Sequence, residues 1–313
     1  MLGKIVWSLS GLAERVGLSE RAGLAGRGLV LGGVLAAGLL SGGTARAQDV
    51  DAIVKKLTAT HTLTIGYRET SVPMSFLGED KVPTGYSVDM CRRIAEATKQ
   101  ELKLPELKYA YVPVNIQTRQ ALVANGTVDI ECGGTVNTFA RNKQVDFTSI
   151  SFVASNQLLV LKDSGVKSFA DLNGKVVLVA TAGSSEPELQ KIMTEQKLTL
   201  RVLKVDDHPA ALLALESHRG DAYFSDNSAF FALIQQSRHP ENLAIVGPEI
   251  GYAPQGFMIP KNNPTFLWIA NHTMAQMYQS GEGNKLIAKW FGPFGVGVGP
   301  RLRAAWDAAS LPE

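Results

Sequence analysis

Two successive runs of alternating strand and helix signals, a length that suits about two domains of ~150 residues each, and 45% hydrophobic residues over 313 positions predict an α/β fold built from two α/β units. In the first run, residues 63–67 read as a short strand, and Pro73, with no N–H to offer a ladder, bars its simple continuation. Ser87 is placed to cap a helix that puts Val88, Cys91, Ile94 and Ala95 on one stripe. Residues 107–112 alternate into a second strand, residues 116–124 form a short helix stopped by Asn125 and Gly126, and residues 128–132 make a third strand. Strand, helix, strand, helix, strand is the order of a unit with a parallel sheet.

The order then repeats. Residues 158–161 are an extended apolar run, Ser168 caps a short helical turn ending at Gly174, and the β-branched residues 176–180 are a strand. A helix from about 186 to 197 carries Pro187 in its first turn, residues 200–205 are a strand, residues 209–218 a helix, and residues 222–224 a strand ending at Asp226. Residues 255–259 read as a strand that returns to the first unit, residues 264–279 as an amphipathic helix around Phe266, Ile269, Met274 and Met277, and residues 284–291 as a final helical turn or two. After Gly292 the periodicity is too weak to assign a role. In sheets of this kind, ligands lie beyond the carboxyl ends of the strands, where helix N-termini point.

Composition removes several classes of function. Lys and Arg number 31 against 29 Asp and Glu, so no basic excess supports nucleic-acid binding. Two cysteines and five histidines, with neither a CxxC pair nor an HExxH helix, build no zinc site; no metal or other cofactor is expected. Residues 1–47 hold 11 of the 30 glycines, five basic residues and two acids, and residues 29–40 are uncharged and apolar. That core is too short for a bilayer, which takes about 20 apolar residues, and suits a signal peptide. Ala45-Arg46-Ala47 supplies a small-x-small cleavage site, so removal after Ala47 and a periplasmic location are expected, an uncleaved anchor being the alternative. Without that leader, 26 basic residues face 27 acidic ones. Export permits a disulfide. Cys91 on a helix and Cys132 at a strand end pair only if their Cα atoms come within about 7 Å; two separate buried thiols are the other reading.

Charged residues gather beside the strand ends. Arg68 follows the first strand, Arg119 lies on the second helix, Arg141 follows the third strand, and His208 follows a strand of the second unit. Asp226 ends another strand, and Ser184 and Ser185 lie where backbone N–H groups open a helix. Several cations with one carboxylate suit a ligand bearing two carboxylates and one ammonium, because arginine grips carboxylates bidentately. Each residue alone has a plainer reading: solvated loop arginines, a turn histidine beside Asp206 and Asp207, a helix-capping Asp226, and capping serines.

The motifs also carry a resemblance. Residues 66–73 (Gly-Tyr-Arg-Glu-Thr-Ser-Val-Pro), the helix opening 85–89 (Gly-Tyr-Ser-Val-Asp), Arg119 with residues 125–133, Thr135, Asn137 and Arg141 resemble the glutamate/aspartate branch of the periplasmic amino-acid-binding proteins of ABC importers. The likeness runs on through residues 169–175, Ser185, Glu186, Asp207, His208 and residues 215–217 to Asp226, and covers roughly residues 60–292. It implies a two-lobed periplasmic binding protein fold of type II, with two α/β lobes joined by two hinge strands. Lobe 1 would be residues 48–155 and 253–313, and lobe 2 residues 156–252. Arg141 would hold the α-carboxylate, and Thr135, the Val136 N–H and the Gly134 carbonyl would also belong to the ligand set. Asp226 would take the ammonium, while Arg68, Arg119 and His208 would surround the side-chain carboxylate. Ser184 and Ser185 would contribute from lobe 2. The partners implied are an acidic amino acid and an importer permease with its cytoplasmic ATPase, the receptor itself being a monomer.

This chain departs from the pattern at four places. Val136 stands where a small hydroxyl residue is usual, Gly134 and Ile116 stand where serine is common, and the usual second cysteine position falls near Phe257. The first three changes leave the carboxylate grips in place but thin the polar contacts around them, and a dicarboxylate without an amine, or a neutral polar amino acid, stands as a rival ligand. A dehydratase on the same scaffold would need a general acid over the leaving group, with Glu131, Glu186 and His208 as candidates. A sensory or adhesive module is a third class, without an attached signalling segment to support it.

Overall fold

The computed structural model describes residues 51–311, so the expected leader and its cleavage after Ala47 lie outside the described residues. The chain enters through helix α1 (Ala52–Thr60) and strand β1 (Thr62–Tyr67), then makes a small antiparallel sheet from β2 (Thr70–Ser71), β3 (Ser75–Leu77) and β4 (Pro83–Thr84). Helix α2 (Tyr86–Glu101), β5 (Lys108–Pro113), α3 (Arg119–Ala124), β6 (Ile130–Val136) and β7 (Val145–Phe147) complete the first run. Strand β8 (Phe152–Leu161) leads into the second: β9 (Val176–Ala180), α4 (Ser185–Glu195), β10 (Arg201–Val205), α5 (His208–Glu216), β11 (Ala222–Asp226) and α6 (Phe230–Gln236). Strand β12 (Leu243–Pro260) returns, followed by α7 (Pro264–Gln279), α8 (Glu282–Trp290) and α9 (Pro300–Ala309).

The main sheet runs β10-β9-β11-β8-β12-β6-β1-β5, with β7 beside β12. Strand β1 is parallel to β5 and β6, and β9 is parallel to β10 and β11, as the two predicted α/β units require. The long β8 and β12 run antiparallel to each other and carry the chain between the two halves. Their side chains change core on the way. Phe152 and Ala154 of β8 and Ala253, Phe257 and Ile259 of β12 lie in the first core, whereas Leu158 and Val160 belong to the second. The sequence reading found only the end of β8 and the last residues of β12, because their outer stretches lack a clean period. Among the described residues no helix is long and apolar enough to cross a membrane.

Helix α2 shows how the strand ends are brought into place. Its N-cap is Gly85, not Ser87. Gly85 has φ +125°, and a Cβ there would lie 2.5 Å from the Met74 carbonyl oxygen, so only glycine admits this entry. Ser87 sits inside the first turn, and its hydroxyl donates to the Gly133 carbonyl at 3.1 Å, tying α2 to β6. The expected stripe Val88, Cys91, Ile94 and Ala95 is wholly buried.

The tail left without a role is part of the first core. In α9 only Leu302 and Trp306 are buried, a spacing of one helical turn that two residues alone make hard to read. Trp306 stacks on Tyr278 with ring centroids 4.6 Å apart, and its indole donates to the Ser151 carbonyl at 3.3 Å. Helix α1, absent from the sequence reading, is held the same way by Ile53 and Leu57.

The cysteine question resolves as a disulfide. Cys91 of α2 and Cys132 of β6 are bonded, with Cα atoms 6.2 Å apart and a sequence separation of 41 residues. Phe257 fills the apolar space of the first core instead. Chain-entropy arithmetic for a loop of that size gives about 4 kcal/mol. Reducing the bond, or replacing both cysteines by alanine, should lower unfolding stability by a few kcal/mol in urea titrations without changing the far-UV spectrum.

Candidate functional site

The carboxyl ends of the parallel strands in the two halves face one another across a cavity. From the first half come Arg68, just after β1, Ile116, Arg119 at the start of α3, and Gly134 and Val136 at the end of β6. From the second come Ala180, Gly183, Ser184 and Ser185 at the β9–α4 junction, His208 at the start of α5, and Ser225 and Asp226 at the end of β11. The N-terminus of α4 borders this space through Ser184 and Ser185, a setting that favours anions.

Three guanidiniums are buried around the cavity, with Arg68, Arg119 and Arg141 only 3%, 5% and 9% exposed. Arg119 donates to the Thr135 hydroxyl at 2.5 Å, and that hydroxyl donates onward to a Glu131 carboxylate oxygen at 2.7 Å. Arg141 spans the cleft: one nitrogen donates to the Val136 carbonyl at 2.7 Å and another to the Ala182 carbonyl at 3.2 Å. Ala182 holds a left-handed φ of +59° to present that carbonyl, a conformation that costs a non-glycine residue about 1–2 kcal/mol. The Arg68 guanidinium has no hydrogen-bond or ion-pair partner among the described residues.

Burial sets the electrostatics. It pulls Arg68 and Arg141 down to about 10, with repulsion from Arg119 adding to the effect and Glu131 opposing it. Arg119 is lowered by burial as well. Arginine remains charged at neutral pH all the same, so three cations face two carboxylates, Glu131 and Asp226, while the half-exposed Asp207 is screened by solvent. Burial raises the Asp226 carboxyl, against the hydrogen bond from Ser228 and the pull of Arg119. His208 falls to about 3 through burial and the neighbouring Arg68 and Arg119, so it is neutral, not the cation that the sequence allowed. Its Nδ1 lies 2.8 Å from the Tyr223 hydroxyl. A neutral imidazole that accepts the tyrosine proton at Nδ1 carries its own proton on Nε2, which is then the donor for a ligand.

Eight of the ten expected site residues line the cavity: Arg68, Arg119, Gly134, Val136, Ser184, Ser185, His208 and Asp226. Thr135 and Arg141 do not. Thr135 turns its hydroxyl to Arg119 and Glu131, and Arg141 closes the side of the cleft. The serines are not side-chain caps: Ser184 occupies the N-cap without a capping bond, and the Ser185 hydroxyl donates to the Asn156 side-chain oxygen at 2.7 Å. Asp226 likewise caps nothing with its side chain and instead accepts a hydrogen bond from the Ser228 hydroxyl. The sequence reading missed Ala180, Gly183 and Ser225, which contribute through small size and backbone and so leave no signal in residue type. Among the described residues no cluster of His, Cys, Asp and Glu could hold a metal ion.

Comparison with known proteins gives the same picture. The family described as bacterial extracellular solute-binding proteins, family 3, matches residues 63–293. The L-glutamate/L-aspartate-binding protein of Pseudomonas aeruginosa is 38% identical over 264 residues, covering 84% of this chain and 87% of that protein. The glutamate/aspartate import solute-binding protein of Escherichia coli is 35% identical over 256 residues, with 80% and 85% coverage. Among solved structures, an ancestral arginine-binding protein bound to glutamine superposes with a TM-score of 0.65 at 28% identity, covering 74% of this chain and 98% of its own. An ancestral amino-acid-binding protein described as a precursor of cyclohexadienyl dehydratase gives 0.64 at 26% identity, with 76% and 99% coverage.

The neutral histidine has a measurable consequence. An unfolded chain protonates His208 near its ordinary 6.5, whereas the folded protein refuses the proton until about 3. The folded state therefore loses stability as pH falls from about 6.5 toward 3, at roughly 1.4 kcal/mol per pH unit in mid-window. Asp226, with its raised carboxyl, acts with the opposite sign. The stability difference between wild type and His208→Gln isolates the histidine, and it should move against wild type as pH drops from 6.5 to 4. A difference that stays flat would contradict a buried neutral His208.

Proposed function

Because the chain belongs to family 3 of the bacterial extracellular solute-binding proteins, we propose that it captures glutamate or aspartate outside the cytoplasm and delivers it to the permease of an ABC importer, whose ATPase drives uptake. The observation that carries this reading is the charge of the cleft. Three buried guanidiniums against two carboxylates leave one positive charge uncompensated, and a monoanion with two carboxylates and one ammonium neutralises it. A neutral amino acid leaves that charge standing. A dicarboxylate without an amine brings two negative charges and no ammonium to meet Asp226.

In this reading Arg68, Arg119 and His208 Nε2–H take the side-chain carboxylate, Arg141 and the α4 N–H groups take the α-carboxylate, and Asp226 with the Gly134 carbonyl takes the ammonium. The ligand bridges the halves, and its higher affinity for the closed arrangement shifts an open–closed equilibrium. The lobes divide at residues 155/156 and 252/253, where β8 and β12 cross between the cores. Residues 1–47 serve as an export leader cleaved after Ala47, and the mature receptor works as a monomer. Binding without turnover is supported by the fate of the candidate acids: Glu186 is paired with Lys204 at 2.7 Å, Glu131 does not line the cavity, and His208 is held by Tyr223.

Mass spectrometry of copurified ligand, followed by calorimetry on stripped protein, tests the reading. Glutamate or aspartate should bind in the micromolar range, about −8 kcal/mol, and glutamine and succinate at least thirtyfold more weakly, since a charge left without a partner costs about 2–5 kcal/mol. Arg141→Ala should abolish binding and keep the fold. Tight succinate binding with no response to glutamate would overturn the assignment, and unchanged affinity in Arg141→Ala would remove that residue from the site.

A further inference from the structure

Gln255 is a polar side chain whose carbonyl end has no partner. It lies on β12 where that strand runs between the two cores, paired in register with Val136 of β6 on one side and Phe152 of β8 on the other, and is 1% exposed. Its amide nitrogen donates to the Ser228 hydroxyl at 3.4 Å, and that hydroxyl donates to Asp226. The carboxamide oxygen accepts no hydrogen bond among the described residues. It rests beside Gly134, where a Cβ would meet it at 3.1 Å. Gly134 and Val136, the cleft-lining residues of β6, offer no side-chain acceptor, and this buried amide, which does not itself line the cavity, is a polar side chain packed behind that wall.

Both ends of the amide serve a cation. The nitrogen orients Ser228 so that the serine proton points at Asp226, which holds the carboxylate in one position and favours its ionised form. The oxygen turns the negative end of the dipole toward the wall at Gly134. A buried acceptor without a donor is unfavourable, and a nearby ammonium turns that dipole to advantage. Resting on the proposed function, we infer that Gln255 is a positioning residue for the ammonium of the ligand, acting through Ser228 on Asp226 and through its own carbonyl dipole at Gly134.

Glutarate, which is glutamate without its amine, separates this role from general support of the fold. Calorimetry on stripped protein, with glutarate measured by competition, should give Gln255→Leu a glutamate Kd at least tenfold weaker than wild type and a glutarate Kd within twofold. Ser228→Ala, which breaks the same relay without touching β12, should show the same one-sided loss. Equal losses for both ligands, or no loss of glutamate in either variant, would overturn the inference while leaving glutamate binding by the wild type intact. A wild type that binds neither ligand would overturn the proposed function, and this inference with it.

Discussion

Burial of like charge is the constraint on which the rest of the structure depends. Arg68, Arg119 and Arg141 sit within a few percent of complete burial around one cavity, and removing an ion from water costs several kcal/mol even after relaxation. Their depression below the ordinary arginine range, driven first by burial, is the signature of that cost. Glu131, fully buried on β6, offsets part of it through Thr135. Even the glycines answer to it. A Cβ on Gly133 would lie 2.2 Å from the Glu131 carboxylate, so the carboxylate keeps its place because residue 133 has no side chain.

The architecture supplies the stiffness that this arrangement needs. Parallel strands deliver their carboxyl ends to the cleft from both halves, and each charged group is anchored at a strand end or in the first turn of a helix. The disulfide and the Ser87 contact lock α2 to β6, the strand that carries Glu131, Gly134 and Val136. Among the described residues, only β8 and β12 carry the chain between the cores. Across the cleft, Arg141 grips the Ala182 carbonyl and Gln117 reaches Asp206 at 3.5 Å. A few polar contacts across the opening, set against large apolar cores on either side, are the arrangement expected where one equilibrium opens and closes a cleft.

Much of this was legible in the sequence, for identifiable reasons. Repeating strand and helix periods exposed the two α/β units, and charged residues at strand ends marked the cleft. What escaped detection was set by tertiary context. Gly85 replaced Ser87 as the helix cap because the Met74 carbonyl crowds the position, which no local pattern records. The final helix was invisible because two buried residues make no period. His208 read as a potential cation, and only its enclosure beside two arginines makes it neutral. Gln255 gave no signal, since its meaning lies in Ser228 and Gly134, far away along the chain.

If stored positive charge is what the cleft holds ready for its ligand, removing one guanidinium should relieve the stripped protein while ruining the site. Arg68 is the cleanest choice, because its guanidinium has no protein partner among the described residues. Equilibrium unfolding of stripped wild type and Arg68→Met measures this directly. The variant should be more stable, by about 1–4 kcal/mol, and should lose glutamate binding. A variant less stable than wild type, or one that still binds glutamate as tightly, would contradict this.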